Sequence, residues 1–433
     1  MRILVVGAGG FIGRHIAIEA ARAGHEVVAC GRDTAQLRFM FPGWKTTHCN
    51  FARDGLEDWR QRLQGVHAVV NAAGIFQGDG ANSLETVHVT GPRALFDACA
   101  ELRIQKLIQI SALGADDKAK SEFHLTKRKA DALCLILAES HQLLGWTIVR
   151  PSLVIGRGGQ STALFAALGA LPRPPRLATG RWELQPLHVS DLAYGVVILL
   201  EREEPSPREL DFAGPKPMTT DQLTHTLRRW LRLPPAGVFT APEWLLRGAS
   251  ALGGHFFFGA LSRQSLDMLA RGNTACVTPL EGNLALAAAP AAGSDGGEDP
   301  STQADLWHAR LYFFKPALRT GLALLWIATA IISGFIYPLE KSMAMVSGLG
   351  VSESHASALV YGGAALDTLL GSALLANIRP ALVGVLQIIA MLVFTVLATM
   401  AVPQVWSDPF GPLMKNLAVL LATLTMIALE ARR

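Results

Sequence analysis

Short runs of β-branched and apolar residues recur over the first third of the chain: ILVV, EVVA, HAVVNAAG, KLIQISA and WTIVRPS. Between them lie stretches with helical spacing, among them Gly13 to Arg22 and Pro92 to Leu102, and Gly24 stands where the first helix would end. This alternation predicts right-handed strand–helix–strand crossovers, and hence an α/β fold with a doubly wound parallel sheet over residues 1–156. Residues 157–286 are less regular and richer in proline, which predicts a small C-terminal lobe of the same domain. The run AAAPAAGSDGGEDPSTQ, from Ala287 to Gln303, is of low complexity, so 287–305 reads as a flexible linker. Residues 306–433 hold four apolar segments, at about 320–337, 356–376, 381–402 and 413–429. Each is near the ~17–25 residues a helix needs to span a bilayer, which predicts a four-helix transmembrane bundle.

Charge sharpens the membrane reading. Arg310, Lys315 and Arg319 precede the first span, Arg379 lies between the second and third, and Arg432 and Arg433 end the chain. The opposite loops carry Glu340, Lys341 and Asp408, with Lys415 as the basic residue against the trend. The positive-inside rule then predicts a multi-pass protein of the inner (cytoplasmic) membrane, with both termini and the α/β domain in the cytoplasm. A net charge of +4 over 433 residues is too small to argue for a nucleic-acid partner. The five cysteines (Cys30, Cys49, Cys99, Cys134 and Cys276) are far apart, with no metal-ligand spacing, so neither a metal site nor a disulfide framework is expected.

The first strand runs into glycines at Gly7, Gly9, Gly10 and Gly13, with Phe11 and Ile12 opening the helix. Glycine permits the tight turn and close backbone approach, and the helix N-terminus then faces a pyrophosphate. This strand–turn–helix context points to a Rossmann-type dinucleotide-binding core. The second strand ends Cys30-Gly31-Arg32-Asp33. An arginine there accommodates a 2′-phosphate, so NADP is preferred; Asp33 keeps NAD as the alternative.

The chain from Met1 to about Thr278 resembles the extended and atypical short-chain dehydrogenase/reductase family, in the branch of the NAD(P)H-binding accessory subunit of respiratory complex I and NmrA-like proteins. Further stretches match in order. VVNAAG, with Ala72, Ala73 and Gly74, resembles the strand end that lines the cofactor. ISALGADD resembles the strand that bears the catalytic serine, here Ser111. VRPSLVIG, with Pro151, resembles the segment that reaches the nicotinamide, and PLHVSDLA resembles a block of the substrate lobe. FHLTKRKAD resembles the active-site helix, with Lys127 at the lysine position and Thr126, Ala130 and Asp131 aligned. Phe123 stands where the family has its tyrosine, and a phenyl ring has no proton to exchange. His124 is adjacent but points about 100° away on a helix. Asn50 replaces the aspartate that contacts adenine, and His88 replaces a supporting asparagine, as a catalytic group or a satisfied core histidine.

The apolar half resembles the DoxX-like family of small membrane proteins, some of them associated with quinone-linked oxidation. Asp367 lies mid-span, where an ionisable group normally faces a partner (here Lys415 or Gln387) or a water-filled cavity. Gly362, Gly363 and Gly371 suggest close helix packing there. Together these features imply a membrane-anchored NAD(P)H-binding protein acting on or near a lipid-soluble partner such as a quinone. Two other classes stand beside it: a non-catalytic NAD(P)H sensor or assembly factor for a membrane complex, and a sugar-nucleotide epimerase or dehydratase. The glycine-containing stretch Trp244 to Asn273 lines a pocket, rests on the membrane, or is core.

Overall fold

The structure is a computed structural model that describes residues 1–76, 78, 80–177, 180, 182–240, 268–275, 300–409 and 411–430. Cys276 and most of the 287–305 segment lie outside the described residues, as do residues 241–267, which hold most of the stretch from Trp244 to Asn273. The chain divides into two compact units, Met1–Arg310 and Leu311–Arg433.

The first unit is built on β1 (Arg2–Val6), α1 (Phe11–Arg22), β2 (Glu26–Gly31), α2 (Thr34–Met40), β3 (Lys45–His48), α3 (Leu56–Arg62) and β4 (Ala68–Asn71). A helix of π geometry at Thr86–Thr90 runs into α4 (Gly91–Glu101), followed by β5 (Lys106–Ile110), α5 (Glu122–Ser140) and β6 (Gly145–Pro151). After α6 (Gln160–Ala170) and α7 (Val189–Glu201), the strand β7 (Glu209–Phe212) returns to the sheet, and α8 (Thr220–Trp230) follows. The seven strands order as β7-β6-β5-β4-β1-β2-β3, all paired in parallel. Ile3, Leu4, Val5 and Val6 are wholly buried because helices cover both faces. α1 and α7 pack on one face through Ile16, Ala17, Leu192 and Val196; Trp59, Phe96 and Cys134 fill the other.

Val6 pairs with Cys30 on one side and with Asn71 on the other. The strand order reverses between β1 and β4, and such a switch point opens a crevice at the carboxyl edge. Residues 189–212 differ from the sequence reading, which placed them in the lobe: α7 covers α1, and β7 extends the sheet beside β6. The PLHVSDLA block therefore starts a core helix.

The helix α9 (Gln303–Ile331) begins before the boundary at Leu311, and the second unit holds the rest of it, continued by a π turn at Ile332–Ile336, then α10 (Leu339–Ser347), α11 (Glu353–Leu375), α12 (Pro380–Ala401) and α13 (Lys415–Glu430). Among the described residues three helices, Gln303–Ile336, Ser354–Leu375 and Pro380–Ala401, are long and apolar enough to cross a membrane. The fourth predicted span is a helix of 16 residues, about 24 Å at 1.5 Å per residue. Two further differences concern the first span: its helix starts at Gln303, inside the segment read as linker, and α10 occupies what read as a loop. Gly371 does pack closely, its absent Cβ 2.7 Å from the Ile327 side chain, whereas Gly362 has nothing within 4 Å. At one end of the bundle Arg319, 2% exposed, donates to Asn377 Oδ1 at 2.6 Å and pairs with Glu430, which also meets Lys315. Asp367 is buried, and the expected pairing with Gln387 is not made: Asp367 Oδ1 and both amide atoms of Gln387 lack partners among the described residues.

Candidate dinucleotide site

The carboxyl edge of β1, β2 and β4 forms a trough of about 300 Å³. Gly7 sits at φ +81°, and a Cβ there would lie 2.8 Å from the Ala73 backbone nitrogen. At Gly13 a Cβ would lie 2.2 Å from Gly7 O, so the first turn of α1 closes on β1 only with glycine. Gly9 is different: its Cβ would make ordinary contacts at 3.6 Å and 3.7 Å. The protein itself does not require glycine at Gly9, yet the residue lines the trough at the N-terminus of α1. That is a cradle a side chain would fill, and it fits a pyrophosphate held on backbone N–H groups.

Gly10, Arg32, Asn50, Ala72, Ala73 and Gly74 line the same trough. The Asp33 carboxylate caps α2 by accepting from the Gln36 N–H at 2.9 Å. Arg32 is exposed and makes no hydrogen bond or ion pair among the described residues. Asn50 Oδ1 accepts from the Ala52 N–H at 3.0 Å, leaving its NH2 to offer. Five predicted binding residues lie outside the trough lining: Gly13, against Gly7 O, Lys127, whose Nζ is 3.2 Å from where a Gly74 Cβ would be, and three more. The Phe11 ring packs under Gly156 and Gly159, Ile12 joins the core, and Pro151 pairs with Phe212.

The predicted catalytic corner lies beyond Gly74. Phe123 is 6% exposed and stacks on Phe76 at 4.6 Å, with His88 edge-on at 5.4 Å. Thr126 Oγ1 donates to the backbone of its own helix, so His88 Nδ1–H donates to that oxygen at 2.9 Å. His88 Nε2 then accepts from the Ile75 N–H at 3.1 Å. This network assigns the neutral Nδ1–H tautomer. Ser111 donates to the buried Asp131 Oδ2 at 2.6 Å, beside Arg150. Lys127 Nζ donates to Ile110 O at 3.0 Å and lies 3.5 Å from Ala73 O, which leaves one proton for a ribose hydroxyl. His124 turns to Ser121 and Gly114.

Comparison with known proteins fits this geometry. Residues 3–212 match the NAD dependent epimerase/dehydratase family, and residues 323–424 match the DoxX-like family. The chain joins an NAD-dependent epimerase/dehydratase-type domain to a DoxX-like domain. The first is similar to NADH dehydrogenase [ubiquinone] 1 alpha subcomplex subunit 9 of Mus musculus, 26% identical over 217 residues, which cover 49% of this chain and 56% of the mouse protein. It is similar too to the NADH-ubiquinone oxidoreductase 40 kDa subunit of Neurospora crassa, 25% identical over 52% of this chain and 59% of the fungal one. The chain thus spans less than two thirds of these relatives. UDP-glucuronic acid 4-epimerase from Bacillus cereus, in complex with UDP-glucuronic acid and NAD, superposes with a TM-score of 0.47 at 19% identity, over 55% of this chain and 86% of that one.

Within the epimerase/dehydratase-type domain, burial sets the electrostatics. It pushes His88 down to about 3, with the Lys127 charge helping. Burial lowers Lys127 to about 8 against the pull of Asp131, and it raises Asp131 to about 6 against its Ser111 and Arg150 hydrogen bonds. At neutral pH the corner lacks the family's proton donor: Phe123 has no proton, His88 is neutral with both nitrogens bonded, and Ser111 is committed to Asp131, so of these groups only the Lys127 ammonium keeps an uncommitted proton. Sequence reasoning singled out neither Phe76 nor the Asp131–Arg150 support. Asp131 stands four residues after Lys127, on the same helix face, and was legible by spacing; Phe76 depends on how His88 holds the Ile75 loop. Phe76 also walls a second, apolar cavity.

Proposed function

We propose that the epimerase/dehydratase-type domain holds NADP(H), in preference to NAD(H), without the proton relay of a short-chain dehydrogenase, as a dinucleotide-responsive sensor or assembly element of a membrane complex. The observation that carries this reading is the contrast at Phe123: an intact trough beside a corner where a phenyl ring replaces the phenol and the protons of His88 and Ser111 are committed internally. In this reading Gly7, Gly9, Gly10 and Gly13 receive the pyrophosphate, Asn50 the adenine end, Ala72 to Gly74 the nicotinamide side, and Lys127 the ribose. The free Arg32 guanidinium, next to an Asp33 already engaged in capping α2, supports the 2′-phosphate. The DoxX-like domain anchors the chain. Its flanking basic residues support an inner-membrane, multi-pass topology with cytoplasmic termini.

A second reading is an oxidoreductase acting on a lipid-soluble partner such as a quinone, which takes its protons from water. The apolar cavity at Phe76 favours it. The sugar-nucleotide epimerase or dehydratase reading has least support, since Phe123 removes its acid/base. The experiment is titration of the full-length protein in nanodiscs with NADPH and NADH, followed by turnover with short-chain quinone and carbonyl acceptors. Tight NADPH binding without turnover is the expected result, with carbonyl reduction appearing only in Phe123→Tyr. Turnover by the native protein would retire the sensor reading.

A further inference from the structure

Where the trough ends at Ile75, the chain turns into Phe76, which forms one wall of a cavity of about 90 Å³. Leu153, Leu164, Phe165, Leu184 and Leu269 line it with Phe76. Leu164, Phe165 and Leu184 are at most 3% exposed, so the floor is apolar and packed. The polar contributors are neutral. Gln160 is exposed and Ser161 half-buried at the first turn of α6, while Asn273 Oδ1 already accepts from the Leu153 N–H at 2.7 Å. No charged side chain is among the described lining residues.

Shape and charge narrow the occupant. A diphosphate leaving water needs cationic partners, and the described lining residues offer none. A benzene ring suits an apolar cavity of about 150 Å³, so this smaller space admits something narrower. We propose that it binds the end of an aliphatic or prenyl chain carrying a neutral hydroxyl head, with the head at Gln160 and Ser161. The bilayer is the natural source of such a molecule for a chain with helices long enough to cross it. The inference does not rest on whether a dinucleotide binds or reacts, because the two cavities have separate floors.

The full-length protein in nanodiscs is photolabelled with a diazirine-bearing decanol, and the label is mapped by peptide. The expected label falls in Gln160–Ala170 and is competed by 1-decanol more strongly than by 1-hexanol, about fourfold for each further methylene that the cavity encloses. Farnesol competes and UDP-glucose does not. Ser161→Trp fills the mouth and lowers this label at least tenfold, while NADPH affinity, read separately, stays within twofold. Should that variant misfold, Leu164→Ala decides: widening the floor shifts preference from decanol to 2-cyclohexylethanol. Label confined to the apolar helices of the second unit, competition by UDP-glucose, or an unchanged preference in Leu164→Ala overturns the proposal. A failed NADPH titration with correct labelling leaves it standing and sinks only the dinucleotide reading.

Discussion

The trough and the corner beyond it share one sheet edge, and they differ in what their polar groups have left to give. Along the trough, Gly9 keeps space that the protein does not fill, Arg32 has no partner among the described residues, and the Asn50 amide still holds its NH2. In the corner, His88, Thr126, Ile75, Ser111 and Asp131 close on one another, and two stacked phenyl rings fill the rest. Buried polar groups must find partners, and in the corner His88, Thr126 and Ser111 have found theirs inside the protein, while Asp131 Oδ1 and His124 Nε2 have none among the described residues. Room and unused donors mark a place prepared for a ligand; a closed network marks a place prepared to stay as it is. A site can therefore keep its geometry for binding a dinucleotide after losing the means to move a proton.

The sharpest way to break that contrast is at Gly13. A Cβ there would lie 2.2 Å from Gly7 O, a backbone atom that cannot step aside. Gly13→Val should cost about 3 kcal/mol of stability, the upper range for overpacking, and lower dinucleotide affinity more than a hundredfold. Thermal unfolding with an NADPH titration reads both, and a variant that melts normally would show that the turn is not held as described.

The corner predicts an acid-labile domain. The unfolded chain takes up a proton at His88 near pH 6.5, while the folded chain resists it down to about 3. Between those values the unfolded state binds more protons, so stability is fully present above 6.5 and falls as pH drops towards 3. His124, lowered to about 4, acts in the same direction. Asp131, raised to about 6, opposes them between about 6 and 3.8, where the folded state binds the extra proton. With two histidines against one carboxyl, a loss of about 2 kcal/mol from pH 7 to pH 5 is expected for the native domain. In His88→Asn most of that loss should disappear, because the remaining His124 term is largely offset by Asp131. Melting curves at the two pH values measure it, and equal slopes in both proteins would place the acid sensitivity elsewhere.

The trough was far more legible in the sequence than the corner, for a local reason. The glycines, the Gly31-Arg32-Asp33 strand end and VVNAAG each sit at the tip of a strand, and a parallel sheet brings such tips together whatever lies between. The corner depends on long-range side-chain choices. Nothing around Ile75 announces that its N–H will bond His88, or that Phe76 will lie flat on Phe123. Phe123 itself was readable, because one residue type decides whether a proton is there. The return of β7 to the sheet was hidden by the brevity of ELDF and its polar residues, as expected of an edge strand. In the second unit the apolar runs gave away the long helices, but the basic, aromatic stretch before Thr320 lacked the uniform apolarity that marks a span, and it is helical all the same.

Arg32 tests the trough at its adenosine end. Arg32→Ala removes a charge-assisted contact to a 2′-phosphate, worth about 1.5–3 kcal/mol, so NADPH affinity should fall at least tenfold while NADH affinity moves less than twofold. Parallel titrations of the two dinucleotides read the difference. An equal loss for both would mean that Arg32 serves the pyrophosphate or the fold, and the NADP preference would go.

Gly9 gives the smallest effect and the cleanest separation. Its added Cβ meets only Leu37 Cδ2 at 3.6 Å and Gln36 Oε1 at 3.7 Å, both ordinary contacts. It lies just before the first turn of α1 at a negative φ, where alanine also lowers the entropy of the unfolded chain. Gly9→Ala should therefore melt within about 0.5 kcal/mol of the native protein, or slightly above it. Affinity for NADPH and NADH should fall together, about five- to tenfold, because the methyl takes space that a pyrophosphate needs and that no protein atom claims. Loss of stability would return Gly9 to the fold, as at Gly13. Unchanged affinity would mean that the space at Gly9 is incidental and the pyrophosphate lies elsewhere along the turn.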